Sequence, residues 1–180
     1  MTATDHLTPE RRDLLETLTT HRALLRGTTD GLTDAQAAHR STVSELTIGG
    51  LIKHVTETER AWAQFMIDGE GALGAADWAE ADATGTSAAD AYADGFRVLP
   101  GETLAGLLAE YEVVAAATDE RVATMPDLDL SHALPEAPWF EPGAAWSARR
   151  VLLHIVAEMA QHAGHADIVR EAIDGKKSMG

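Results

Sequence analysis

No cysteine occurs among the 180 residues. That excludes disulfides, thiolate metal sites and cysteine nucleophiles together, so any metal must be held by histidine and carboxylate. Aromatic residues make up only 5% of the chain, and alanine and leucine supply most of its apolar surface, which favours helix over strand. Basic residues are scarce too: 14 stand against 29 acidic ones, for a formal charge of −15. A field of that sign repels phosphate and argues against nucleic acid or an anionic membrane as partner. Long apolar runs are missing, so no segment is expected to span a bilayer. The start, "MTATDHLTPERRDLLETL", lacks a basic stretch followed by an apolar one, so it does not read as a secretory signal. A cytoplasmic protein of one domain, residues 1–180, is the expectation from length and composition.

Four long helical patterns fill this frame. The first opens at Thr8, a helix cap, with Pro9 at the first helical position, and carries Leu14, Leu15, Leu18 and Leu25 at helical spacing. "LTDAQAAHR" reads as a short extra turn. In the second long helix Ile48, Leu51, Ile52, Val55, Glu59 and Trp62 share a face, and Asp68-Gly69 ends it. The third has Leu104, Leu107, Leu108, Tyr111, Val114 and Val122, and stops before Pro126. The fourth runs from a Ser147 cap to about Ile173. Between the second and third, residues 70–100 read as a long loop anchored by Trp78, Tyr92 and Phe96, with a helical turn around Ala88–Phe96. Residues 126–146 hold four prolines and Trp139, Phe140 and Trp146, and read as an irregular loop folding down over something. The fold expected is an all-α four-helix bundle with long connecting loops.

The fourth helix carries the chemistry. "HIVAEMAQHAGH" places three histidines and a glutamate within a single stretch. On a helical wheel His154, Glu158, His162 and His165 fall in the same arc, about 100° wide, as Val151, Ile155 and Val169. They therefore point toward the core side, where unpaired polar groups cost several kcal/mol, roughly. Residues four apart lie about 6 Å apart along the axis and suit two ligands of one ion, whereas His154 and His165, on the order of 16 Å apart, cannot share one. A hydrogen-bonded network and a metal site both satisfy this pattern. A metal site needs a third ligand from another helix, and His54, flanking the apolar stripe of the second, is the candidate. His6, His21, His39 and His132 read as ordinary polar residues. Gly164, inside the fourth helix, suggests close approach of a neighbouring helix.

"LTIGGLIKHVTETERAW" and "WSARRVLLHIVAEMAQHAGHADIVREAIDG" resemble the corresponding helices of the DinB-like superfamily of four-helix metalloproteins. The nearer likeness is to the branch containing the N-terminal domain of mycothiol-dependent maleylpyruvate isomerase. The resemblance implies a divalent metal on His54, Glu158 and His162: zinc first, with nickel, iron or manganese as alternatives. It places His154 and His165 beside that triad, as pocket or proton-moving residues. It implies thiol chemistry, in which a low-molecular-weight thiol such as mycothiol is the cosubstrate and reacts with a small electrophile, by transfer or isomerisation. Homodimers occur among such relatives. A metal-hydroxide hydrolase and a non-catalytic metal-binding stress-response protein are the competing readings.

Overall fold

A computed structural model describes residues 7–73, 90 and 93–178. Helix α1, Pro9–Gly27, starts where expected: the Thr8 hydroxyl accepts from the Arg11 amide at 3.3 Å, satisfying one of the helix's free donors. Its Leu14, Leu18 and Leu25 are buried. A one-turn helix, α2 (Asp34–Ala37), is held by a reciprocal cap between Thr33 and Gln36. Helix α3, Ile48–Asp68, is capped by Thr47 and ends at Gly69, whose φ of 71° lies in the region glycine tolerates best. A 3-10 turn follows over Gly69–Ala72. Helix α4, Leu104–Thr124, is capped by Thr103. Helix α5, Ala148–Asp174, is capped by Ser147 and closed by Gly175 at φ 77°.

The apolar faces meet as a bundle. α3 packs against both α4 and α5, and α1 against α5 and α4. Ile48, Leu51, Ile52, Val55, Phe65, Tyr111, Leu152, Ile155 and Met159 form the inner layer. This is the all-α bundle that the helical spacings imply. None of the helices is long and apolar enough to cross a membrane, among the described residues.

Two expectations need correction. The 126–146 stretch is not wholly irregular. Strands β1 (Ser131–Ala133) and β2 (Ala145–Ser147) pair antiparallel, with His132 opposite Trp146. The Leu134 amide extends the pairing to the Ala144 carbonyl at 2.9 Å. Three prolines, which cannot donate to a ladder, sit in the loop between the strands rather than in them. Gly164 is exposed, and a Cβ there would meet nothing within 4 Å, so no helix approaches it closely. The close approaches occur at Gly49 and Gly50 instead. Trp78, Tyr92 and residues 88, 89 and 91 of the turn expected around Ala88–Phe96 lie outside the described residues, as does His6, while Asp90, Ala93 and Asp94 are helical. Phe96 is described, and bears on the site.

Two buried arginines join the helices. Arg22, on α1, pairs with Glu59 of α3 and Asp119 of α4. Arg170, on α5 and 2% exposed, donates to the carbonyls of Thr28 and Asp30 at 2.6 and 2.8 Å and pairs with Asp174 at 2.8 Å. It thus ties the end of α5 to the end of α1. Arg170→Ala is expected to cost at least about 1.5–3 kcal/mol, the contribution of hydrogen bonds made by a charged donor. The shift in denaturant midpoint measures this, and an unshifted midpoint would show that the tie contributes nothing.

Candidate metal centre

Glu158 and His162 stand one turn apart on the inward side of α5, and His54 faces them from α3. One ligand atom from each of the three lies within 4.8 Å of the others. The His162 Nε2 is 3.5 Å from a Glu158 oxygen, and the His54 and His162 rings meet edge to face at 4.7 Å. Two ligands of a first-row ion at 2.0–2.2 Å sit roughly 3.5 Å from each other, so small side-chain rotations close the set around one ion. Among the described residues this is the group in which three such donors converge. The triad that the resemblance implies is therefore brought together, although His54 only flanked the apolar stripe in the sequence.

The protonation states suit a cation. Burial, and then the neighbouring His162, push the His54 imidazole down to about 4, so it is neutral at pH 7 and keeps a free lone pair. Glu158 is held below the usual carboxylate range, chiefly by its hydrogen bond with His162, against the opposing effect of burial. A neutral imidazole beside an ionised carboxylate is the state that metal binding requires. The side chains of Glu158 and His162 are 26% and 12% exposed, so a small molecule can reach the centre from solvent.

His154 and His165 flank the triad on either side. The His154 Nε2 lies 3.8 Å from the other Glu158 oxygen. Its ring is edge-on to Trp62 and Trp146, at 4.7 and 5.2 Å. Burial lowers its pKa, opposed by the Glu158 charge. Trp62 and Trp146 stack on each other at 4.9 Å, Phe140 abuts both, and Arg150 sits 4.8 Å from the Trp146 ring. Of the 126–146 aromatics, Phe140 and Trp146 thus do fold down, against the N-terminal side of the site, whereas Trp139 is 72% exposed and, among the described residues, its ring meets only that of Phe140. On the other side His165 Nδ1 lies 3.4 Å from His162 Nδ1, leaving the Nε2 of His162 toward Glu158.

Helical spacing puts Thr58 beside His54, but the sequence did not point to the aromatic contact on its ring. Phe96 stacks on its ring at 4.0 Å, and the Thr58 hydroxyl lies 3.5 Å from its Nε2. The signal available was the Gly49-Gly50 pair, which is costly in a helix unless something packs against it. His21, His39 and His132 do not join the triad.

The fold and the donor set define a class: an all-α bundle whose α3 and α5 present a His/Glu/His group able to hold a divalent ion. Within that class, a family model described as mycothiol-S-transferase matches residues 13–175, and the chain belongs to this family, part of the DinB-like superfamily. No curated protein matches the chain. Among solved structures, the crystal structure of a conserved protein from Enterococcus faecalis superposes with a TM-score of 0.68 at 15% identity. The match covers 94% of this chain and 100% of the other, and it shows the shared fold.

Proposed function

We propose that this protein is a metal-dependent transferase that joins a low-molecular-weight thiol, mycothiol by family membership, to a small electrophile. The observation that carries the metal reading is the convergence of His54, Glu158 and His162 in an accessible site, three ligands among the described residues. Zinc suits two neutral imidazoles and one carboxylate, and nickel, iron or manganese also fit such a donor set. When bound, the ion would lower the pKa of a thiol at its open position, supplying a thiolate at neutral pH. The chain contains no cysteine of its own, so the sulfur must arrive with the cosubstrate. The thiol gives up its proton, sulfur bonds to the electrophilic carbon, and the bond to the leaving group breaks with its electron pair. Where the acceptor is instead an activated double bond, no group leaves: sulfur bonds to one carbon, the π pair shifts to the adjacent atom, and that atom takes up a proton. His154 and His165 are proposed to move protons, each lying beside one member of the triad. A single domain over residues 1–180 acting in the cytoplasm, as monomer or homodimer, completes the reading.

The test is an incubation of the zinc-loaded protein with mycothiol and a chromogenic electrophile such as chlorodinitrobenzene. Thioether formation followed by mass spectrometry should require both protein and thiol. Turnover of ester or amide probes without thiol would replace this with a metal-hydroxide hydrolase. Absence of turnover across thiols and electrophiles would leave a metal-binding protein without catalysis.

A further inference from the structure

His54 is the donor with the weakest support from its own helix. It comes alone from α3, and the ring stacked on it, Phe96, lies more than forty residues away in sequence. Gly50 lies one turn before it, on the same side of α3. A Cβ at Gly50 would collide with the Phe96 carbonyl, and one at Gly49 with the Val98 side chain. The glycine pair therefore opens a groove into which residues 96–98 settle.

Polar contacts fasten that segment. The Lys53 ammonium pairs with Glu102 at 2.7 Å and reaches the Arg97 carbonyl at 3.5 Å. The second Glu102 oxygen accepts from the Leu99 amide at 2.7 Å. Lys53 is the residue immediately before His54, so the fastening is made at the donor itself. Its outcome is the Phe96 ring lying nearly parallel over the His54 imidazole, 4.0 Å away at an angle of 22°. Phe96 also borders a cavity of about 620 Å³ with Arg40, Leu46, Thr47 and Arg97.

We infer that residues 93–102 form a strap that positions His54 for the metal, with Phe96 as the positioning residue and Gly50 as the seat that lets it approach. This inference rests on the metal reading of the triad. Among the described residues, the hydrogen-bond partner of the imidazole is the distant Thr58 hydroxyl at 3.5 Å, and an unsupported imidazole turns about two side-chain bonds. Stacking restricts the ring to an orientation in which it faces His162. The strap acts through His54 and needs no contact with the ion or the substrate.

The experiment compares zinc affinity, measured by competition with a chromophoric chelator, and the visible spectrum of the cobalt-substituted protein. Wild type is set beside Phe96→Ala, Phe96→Tyr and Gly50→Ala. Phe96→Ala should bind zinc about 10- to 100-fold more weakly, the loss typical when a residue supporting a ligand is removed. Its cobalt spectrum should change while the melting temperature of the metal-free protein stays within about a degree or two. Phe96→Tyr keeps the ring and should restore both readouts, and Gly50→Ala should shift them in the direction of Phe96→Ala. Wild-type zinc affinity and an unchanged cobalt spectrum in Phe96→Ala would overturn the inference while leaving the metal reading intact. A wild type that binds no zinc or cobalt would overturn both. If Gly50→Ala fails to fold, the two Phe96 variants decide.

Discussion

His162→Ala should leave the protein folded, unable to retain its metal and without thiol-transfer activity. The imidazole is both a proposed ligand and the group whose hydrogen bond does most to hold Glu158 below the usual carboxylate range. Its removal leaves one histidine and one carboxylate on different helices. Replacing a residue that merely supports a ligand costs about 10- to 100-fold in metal affinity, and losing a ligand costs more. Folding should persist because the His162 side chain lines the opening of the site, while the neighbouring Met159, Ala163 and Ala166 hold α5 in the core. Alanine is also the best helix former. Full metal content in this variant would sink the assignment. Circular dichroism on the same sample separates loss of metal from loss of fold.

The second large effect concerns stability and lies away from the metal. Glu59 is 1% exposed, and both its oxygens face Arg22 of α1, the shorter contact being 2.5 Å. Arg22 also reaches Asp119 of α4 at 2.7 Å, so one guanidinium links three helices. Tyr111 packs beside this pair and donates to the Met159 sulfur at 3.2 Å. Burial, with the Glu59 charge, pushes the Tyr111 phenol up, so it remains a neutral donor. Arg22→Ala strands a buried carboxylate and is expected to destabilise the fold by about 3–5 kcal/mol. The double substitution Arg22→Met/Glu59→Leu removes both charges and should recover most of that loss, because a buried ion pair is nearly neutral against an apolar pair of similar volume. Chemical denaturation of the two variants measures this. A double variant as unstable as Arg22→Ala would show that the pair itself, and not its imbalance, carries the stability.

The helices were legible because their signals are local. Thr8 with Pro9, and Ser147 ahead of α5, are caps readable from a few residues, and the leucine spacing of α1 and the Ile48–Trp62 stripe of α3 follow directly from helical period. The α5 half of the site was legible for the same reason, since Glu158 and His162 are one turn apart. His54 was not fixed by its pattern, and it needed the resemblance of a longer motif. Glu59 was readable as a member of an apolar face, but its partner Arg22 lies 37 residues away, and a pairing across helices leaves no periodic trace. Phe96 is hidden in the same way. The two glycine sites carry the converse lesson. Gly164 suggested packing and faces open space, whereas Gly50 does receive a neighbour, and the sequence alone offers no means of telling them apart. The short β1–β2 pair escaped because three-residue strands with only one strongly strand-favouring residue between them carry little propensity signal.

The measurement that bears most directly on the metal centre is the metal content of protein purified without an affinity tag, by mass spectrometry, wild type beside His54→Ala. The His54/Glu158/His162 centre predicts about one equivalent of a first-row divalent ion in the wild type and close to none in the variant, with both folded. Wild-type protein without metal that also takes up none when zinc is supplied, or a variant that keeps its full equivalent, would contradict it. The cluster would then stand as a hydrogen-bonded network on the inner face of α5.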